Sequence, residues 1–290
     1  MPDPKRGPDR PILYPYQKEI AVAVLDSVLH KKGLTITVEI ARQGGKNELS
    51  AQLEVLLMTL YITGNKNLIK CSPTFKPQTV ISMMRLKEKL DQAGYKGFWT
   101  SEMGYIVRLG NCRTVFLSAE ESASVVGNTA HLLLEVDEAQ DVNEDKYIKE
   151  FRPMGSTTNV TNVLYGTTWD DSTLLEKMKQ ANLELERKDG IRRHFRFDWQ
   201  EVAACNPDYR EYVEGERVRL GDDHPLFLTQ YRLLPVQGGG GFLKPAQRVQ
   251  LQGEHSRRRL PEPGRTYIAG IDLAGEEETD PENLLKNVRP

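Results

Sequence analysis

Residues 35–61 read TITVEIARQGGKNELSAQLEVLLMTLY, and this stretch decides the fold. The β-branched run LTITVEI ending at Ile40 predicts a strand. The strand runs directly into the pair Gly44 and Gly45, where no regular element would continue. From Asn47 to Tyr61 the chain is rich in Leu, Glu, Gln and Met with no Gly or Pro, which predicts a long helix capped from Asn47. In a strand, glycine loop and helix joined this way, the N–H groups at the helix start face the loop and favour an anion.

The octet Ile40 to Asn47, IARQGGKN, has the glycines and lysine of a phosphate loop but departs from G-x-x-x-x-G-K-[ST] at both ends. Ile40 stands for the first glycine and Asn47 for the hydroxyl residue. The chemistry survives both changes. Gln43, Gly44, Gly45 and the helix start can cradle phosphates, Lys46 can neutralise them, and Asn47 can offer a side-chain oxygen to Mg²⁺ directly or through water. Alone, the octet also describes a glycine turn with a solvated lysine.

The loop does not stand alone. Leu132 to Glu138 reads LLLEVDE, an apolar strand that delivers two adjacent carboxylates at its C-terminal end, where open α/β sheets place their ligands. One carboxylate must stay ionised beside a metal while the other orients an attacking water and accepts its proton. Asp137 suits the first role and Glu138 the second. The alternative is that both cap a following helix in DEAQDVNEDKY, where negative charge is favourable. Glu135, in mid-strand, has no partner legible in the sequence, although a carboxylate there is costly unless paired.

Further strands are expected at Asn67 to Cys71, Tyr105 to Leu109, Thr114 to Leu117 and Val160 to Tyr165. Helices are expected at Tyr16 to Leu29, Pro77 to Ala93 and Asp171 to Arg187. Strands alternating with helices imply an α/β fold, with a mostly parallel sheet covered on both faces. Arg192 to Pro235 is polar and more helical, Gly238 to Gly241 reads as a hinge, and YIAGIDLAG at Tyr267 to Gly275 opens another sheet. The expected organisation is a core over 1–170, a lid or linker over 171–237, a hinge and linker over 238–265 and the start of a second domain over 266–290.

The chain has 290 residues, 39% of them hydrophobic, enough for a substantial core. No apolar run approaches the roughly 20 residues that cross a bilayer. Cys71, Cys112 and Cys205 form no C-x-x-C pair, against a disulfide framework or a cysteine zinc site. A net charge of -2 gives no global attraction to nucleic acid, so DNA contacts would fall on the basic runs Arg187 to Arg196 and Arg257 to Arg259.

With these motifs in this order, the sequence resembles the large-terminase family of tailed viruses, the motors that drive DNA into preformed capsids. The family's phosphate loop commonly lacks the first glycine and carries an arginine in the manner of Arg42, before a pair like Gly45 and Lys46. Val163 to Asp170, VLYGTTWD, resembles its coupling motif, which places Gly166, Thr167 and Thr168 as sensors of the γ-phosphate. YPYQ at Tyr14 to Gln17 resembles its adenine-contacting motif, with Gln17 offering both amide functions to a base. Residues 206–235 resemble the lid between motor and nuclease, and Asp272 falls at the first metal-binding acid of the RNase H-like nuclease.

The resemblance implies an ASCE or RecA-like P-loop NTPase core with a small lid. It implies ATP and Mg²⁺ as cofactors, and a Mg²⁺-dependent ATPase that translocates double-stranded DNA with Glu138, Lys46 and Arg42 as catalytic residues. It further implies portal protein and small terminase subunit as partners, a homo-oligomeric ring on the portal, no membrane, and work in the host cytoplasm at the procapsid. DNA cleavage is not expected of this chain, because two-metal chemistry needs several carboxylates and Asp272 is one. The family's arginine before the Asp-Glu strand is missing from SASVVGNTAH (122–131), leaving Arg108, Arg113 and Arg152 as substitutes by sequence proximity and Arg42 as a source of charge in cis. Two rival readings remain: a helicase-like DNA-dependent ATPase, motivated by DEAQD, and a non-catalytic DNA-binding or assembly scaffold, motivated by Ile40, Asn47 and the absent arginine.

Overall fold

The computed structural model describes residues 11–235. The glycine run at 238–241, Arg257 to Arg259 and the expected strand with Asp272 lie outside them.

Eight strands form one sheet: β1 (Thr35–Ile40), β2 (Asn67–Ser72), β3 (Trp99–Glu102), β4 (Ile106–Leu109), β5 (Cys112–Ser118), β6 (Leu133–Val136), β7 (Thr161–Gly166) and β8 (His194–Phe197). Their spatial order is β3, β4, β5, β2, β6, β7, β1, β8. The pairings of β4 with β3 and with β5 are antiparallel, and the rest are parallel. In the parallel part every strand needs both faces covered, and β1, β2, β6 and β7 are buried nearly end to end. Because β7 lies between β1 and β6, the loops leaving these three strands emerge side by side at one edge. That topology brings Lys46, Asp137 and Thr167 together from points far apart in sequence.

Helices cover both faces. α1 (Pro15–Leu29), α2 (Lys46–Leu60) and α3 (Val80–Leu90) bury Ile20, Val24, Leu49, Leu53, Leu57 and Leu86 in one apolar layer. On the other face Tyr147 and Phe151, following the single turn α4 (Glu144–Lys146), pack with α5 (Leu174–Asp189) through Leu174 and Leu175. Three short helices follow: α6 (Trp199–Cys205), α7 (Pro207–Leu220) and α8 (Pro225–Gln230). No helix among the described residues is long and apolar enough to cross a membrane.

The structure departs from the sequence expectations in four places. α2 begins at Lys46 rather than Asn47, because Gly45 takes the N-cap position at φ 87°, a conformation open to glycine. The helix considered after Asp137 is a 3₁₀ turn, Ala139–Asp141, followed by α4. β3 and β8 were not expected: β3 is a partly exposed antiparallel strand, and β8 hides in the basic run RRHFRF with Phe195 and Phe197 buried. The segment expected as a lid after residue 170 also contributes to the core, since α5 packs on the sheet, β8 pairs with β1, and buried residues of α6 to α8 join the apolar layer of α1 and α2.

Glu135, the unexplained mid-strand carboxylate, has partners after all. Ser50 of α2 donates to its Oε1 at 2.7 Å, and Lys70 of β2 donates to the Ser50 hydroxyl at 2.6 Å. The Lys70 ammonium also lies 3.7 Å from Glu54 of α2. All four side chains are buried, so two carboxyl groups share one cation out of water. Burial pushes the Glu54 carboxyl well above its ordinary 4.5, with Lys70 opposing and Glu135 adding. For Lys70, the attraction of Glu54, Glu135 and Asp137 outweighs the downward pull of burial and leaves the ammonium above its ordinary value.

A carboxyl raised in the folded state contributes stability that is fully present below its unfolded value and lost as pH climbs through its folded value. Glu54 therefore weakens the fold progressively above pH 4.5. The Glu54→Gln protein is expected to lack this slope, gaining on the wild type by on the order of 1 kcal/mol or more between pH 5 and pH 7.5. Urea unfolding of both proteins at the two pH values measures the difference, and parallel curves would sink the assignment.

Candidate active site

The phosphate-loop octet forms a turn whose carbonyls are held from outside. Tyr16 donates its hydroxyl to Gly44 O at 2.8 Å, Gln17 its Nε2 to Gly45 O at 3.0 Å, and Tyr209 of α7 its hydroxyl to Arg42 O at 2.9 Å. Burial raises both phenols, so both remain protonated donors. In a planar trans peptide the N–H points opposite to the carbonyl. Fixing the carbonyls of Arg42, Gly44 and Gly45 outward therefore turns the N–H groups of Gln43, Gly45 and Lys46 the other way. Among the described residues the N–H groups of Gly45, Lys46 and Asn47 find no acceptor, whereas that of Gly44 bonds Ala41 O at 2.8 Å. Unsatisfied donors at a helix start are the local chemistry of a phosphate site.

Gln17 was expected at a base edge. The structure places it beneath the loop instead, 2% exposed, with Oε1 accepting the Tyr14 N–H at 2.8 Å and Nε2 committed to Gly45. One donor and one acceptor position of the amide are thus used in holding the loop. Gly44 has no room for a side chain, since a Cβ would meet Ile40 Cγ2 at 2.5 Å and Ala41 O at 2.7 Å. Ile40, which replaces the first glycine of the motif, thus packs directly against Gly44.

A cavity of about 620 Å³ opens over this loop. Arg42, Gln43, Gly44, Gly45, Lys46 and Asn47 form one wall, and Asp137, Glu138 and Thr167 face them. The Lys46 ammonium lies 4.0 Å from Glu138 Oε1 and 3.4 Å from Ile40 O, so it reaches back across the loop opening. Asp137, at the end of β6, is 4% exposed; its N–H bonds Cys71 O and Ser82 Oγ stands 3.5 Å from its Oδ2. Burial raises the Asp137 carboxyl, with Lys70 pulling it down and Glu138 adding to the rise. A cation bound there would restore the charged form. Glu138 sits in the left-handed region at φ 47°, which directs its carboxylate into the cavity rather than along a strand.

The coupling segment splits into two directions. Thr167 faces the cavity: its N–H bonds Gln140 Oε1 at 3.2 Å and its hydroxyl lies 3.4 Å from Gln230 Oε1 on α8. Thr168 turns into the sheet and donates to Glu39 Oε1 at 2.7 Å. Glu39 is fully buried, with Lys179 at 3.5 Å and His194 at 3.6 Å. Burial lowers His194 to about 4, so the imidazole is neutral near pH 7. A Cβ at Gly166 would come within 2.3 Å of Gln140 Oε1 and 2.5 Å of Leu175 Cδ2, so a side chain there would displace both.

The substitute arginines are not in the cavity. Arg108 pairs with Glu102 in the β3 and β4 hairpin, Arg113 bonds Asn67, and Arg152 is exposed on a 3₁₀ turn. The arginine that does line it beyond the loop is Arg85 of α3, 3.7 Å from Glu48. Sequence reasoning missed Arg85, Gln140, Gln230 and Trp169, all cavity residues. Of these Gln140 lay within DEAQD, Trp169 within VLYGTTWD and Gln230 within the stretch 206–235, while Arg85 lay in no motif. The basic run at 187–196 is largely engaged within the fold: Arg192 pairs with Glu19, Arg193 with Asp189, and Arg196 bonds the Arg232 and Leu233 carbonyls.

A divalent cation fits the donor set. Among the described residues no three His, Cys, Asp or Glu side chains could enclose a metal by themselves. Mg²⁺ suits such a place because it takes one or two carboxylates and completes its shell with water and phosphate oxygens. Asp137 and Asn47, which both line the cavity, are the side chains that would hold it.

No family model matches the sequence, and no curated protein matches it. Solved structures do match. The large terminase of bacteriophage HK97 superposes with a TM-score of 0.61 at 19% identity, over 79% of this chain and 51% of that one. The ATPase domain of the Thermus phage P74-26 large terminase gives 0.56 at 17%, over 70% of this chain and 88% of that one. A thermophilic bacteriophage large terminase solved in complex with ADP gives 0.59 at 11%, over 77% and 53%. The chain thus spans about half the length of the first and third of these proteins and most of the isolated ATPase domain. The fold of this chain is that of the ATPase domains of phage large terminases, an α/β fold with a mostly parallel eight-stranded sheet.

Proposed function

We propose that the chain is the ATP-hydrolysing motor domain of a viral large terminase, which translocates double-stranded DNA into a capsid. The observation that carries the reading is the convergence on one cavity of three unsatisfied N–H groups, Lys46, Asp137 and Glu138. The N–H groups of Gly45, Lys46 and Asn47 bind the β- and γ-phosphates, and the Lys46 ammonium neutralises them. Asp137 and Asn47 would hold Mg²⁺, which would supply positive charge to the phosphate oxygens. Glu138 orients the attacking water and takes its proton, while Arg42, exposed at the loop's outer end, supplies positive charge in cis. Thr167, on the cavity wall opposite the loop, registers the loss of the γ-phosphate.

The fold likeness supports the assignment to DNA packaging, and the ADP complex of one structural neighbour supports nucleotide binding. Portal protein, small terminase subunit and a ring of copies at the procapsid in the host cytoplasm belong to the same proposal. The direct test is phosphate release from ATP by the purified chain, with and without double-stranded DNA. Turnover is expected with Mg²⁺ and is expected to stop when EDTA removes the metal. A chain that neither binds nor hydrolyses ATP under any of these conditions would instead be the scaffold with a degenerate site, and strand separation coupled to turnover would favour the helicase reading.

A further inference from the structure

Gln140 joins two parts of the cavity that the sequence treats as separate motifs. Its Nε2 donates to Glu138 Oε2 at 2.8 Å and to Asp141 Oδ2 at 3.1 Å, and its Oε1 accepts the Thr167 N–H at 3.2 Å. Among the described residues this is the one hydrogen bond made by the Glu138 carboxylate, since Lys46 at 4.0 Å is beyond bonding distance. Both ends of one planar amide are therefore committed, one to the water-orienting carboxylate and the other to the main chain of the coupling segment. A planar amide cannot swing one end without moving the other. The chain closes against it, because the space a Gly166 side chain would need is filled by Gln140 Oε1 at 2.3 Å.

The connection continues past Thr167. The Thr167 hydroxyl meets Gln230 Oε1 at 3.4 Å, and the Gln230 carbonyl accepts the Arg42 N–H at 2.8 Å. The path thus runs from Glu138 through Gln140 and Thr167 to α8 and back to the phosphate loop. We propose that Gln140 is a positioning residue that aims the Glu138 carboxylate and passes its rearrangement on to Thr167, and through Gln230 to α8. The inference rests on the ATPase reading of this cavity. When Glu138 turns toward water and phosphate it stays bonded to Gln140 Nε2 and draws that end of the amide with it; the amide shifts, and the Thr167 N–H loses its acceptor.

The experiment compares the full chain with Gln140→Ala and Gln140→Glu. The second keeps the volume and an acceptor for Thr167 but sets a carboxylate against Glu138, so it separates aim from packing. Both variants are expected to keep wild-type affinity for a non-hydrolysable ATP analogue and to lose turnover, by up to about 100-fold for a misplaced catalytic group. Hydrogen exchange adds a readout that a packing role would leave unmoved. The analogue should protect residues 41–47 in all three proteins and change residues 226–231 in the wild type alone. Wild-type turnover in Gln140→Glu, equal losses of affinity and turnover, or an intact response at 226–231 would each overturn the inference while the ATPase reading stands. A wild-type chain that hydrolyses no ATP would remove the reading itself and this inference with it.

Discussion

The Glu138→Gln protein is expected to bind ATP with undiminished affinity and to hydrolyse it about 10²- to 10⁴-fold more slowly, the range set by loss of a positioned general base. Glutamine keeps the shape of the side chain and can still meet Gln140, but it accepts no proton from water. The companion change, Lys46→Ala, is expected to fail one step earlier. It removes the cation that bridges the loop opening, 4.0 Å from Glu138, so affinity falls together with turnover. Equilibrium binding of a fluorescent ATP analogue, measured beside phosphate release, separates the two outcomes. Two variants that both hydrolyse ATP at the wild-type rate would remove Lys46 and Glu138 from the mechanism.

Lys70→Met should give the largest change in stability. The ammonium is 2% exposed and is the cation shared by Glu54 and Glu135 beneath the phosphate-loop helix. Methionine fills similar space but leaves the Glu54 and Glu135 carboxyl groups buried without their cation. Removing one partner of a buried ion pair costs about 3–5 kcal/mol. In a domain of this size that lowers Tm by roughly 6–20 °C. The double variant Lys70→Met with Glu54→Gln should recover part of the loss, because only one ionisable carboxyl then remains. Thermal unfolding of the single and double variants is the measurement, and a Tm for Lys70→Met within 2 °C of wild type would mean water or rearrangement relieves the pair.

Much of the site was readable in advance, and the reason is local. A β-branched run that stops at a glycine pair, and a helix that starts at the next lysine, are decided within a dozen residues by backbone conformation and side-chain shape. LLLEVDE is equally local, an apolar strand that must end where its two carboxylates reach solvent. Glu135 shows the limit. Its partners Ser50 and Lys70 lie 85 and 65 positions earlier in the numbering, on a helix and a strand that meet only when β2 pairs with β6 and α2 packs on the sheet.

Gln17 marks another limit, since nothing in YPYQ says whether an amide faces a ligand or a loop carbonyl. Only the approach of α1 to Gly45 shows that the side chain bonds the loop carbonyl with one end and the Tyr14 N–H with the other. Nothing in the expected helix over 77–93 or in the stretch 206–235 singles out Arg85 or Gln230, because each reaches the cavity only once its helix is packed. β8 was hidden because its charges dominate a string in which only Phe195 and Phe197 are buried.

By itself, the sequence determined the strand, loop and helix around Lys46, the carboxylates at Asp137 and Glu138, and the order of the motifs, each through interactions between residues near one another in the chain. Tertiary structure alone decided that β7 lies between β1 and β6, that Thr167 faces the cavity while Thr168 anchors on Glu39, and that Gln140 and Gln230 link the separate motifs. The physical reason is range. A backbone turn is fixed by its own residues, whereas a buried hydrogen bond between distant side chains exists only after strand order and helix packing have brought them within 3.5 Å.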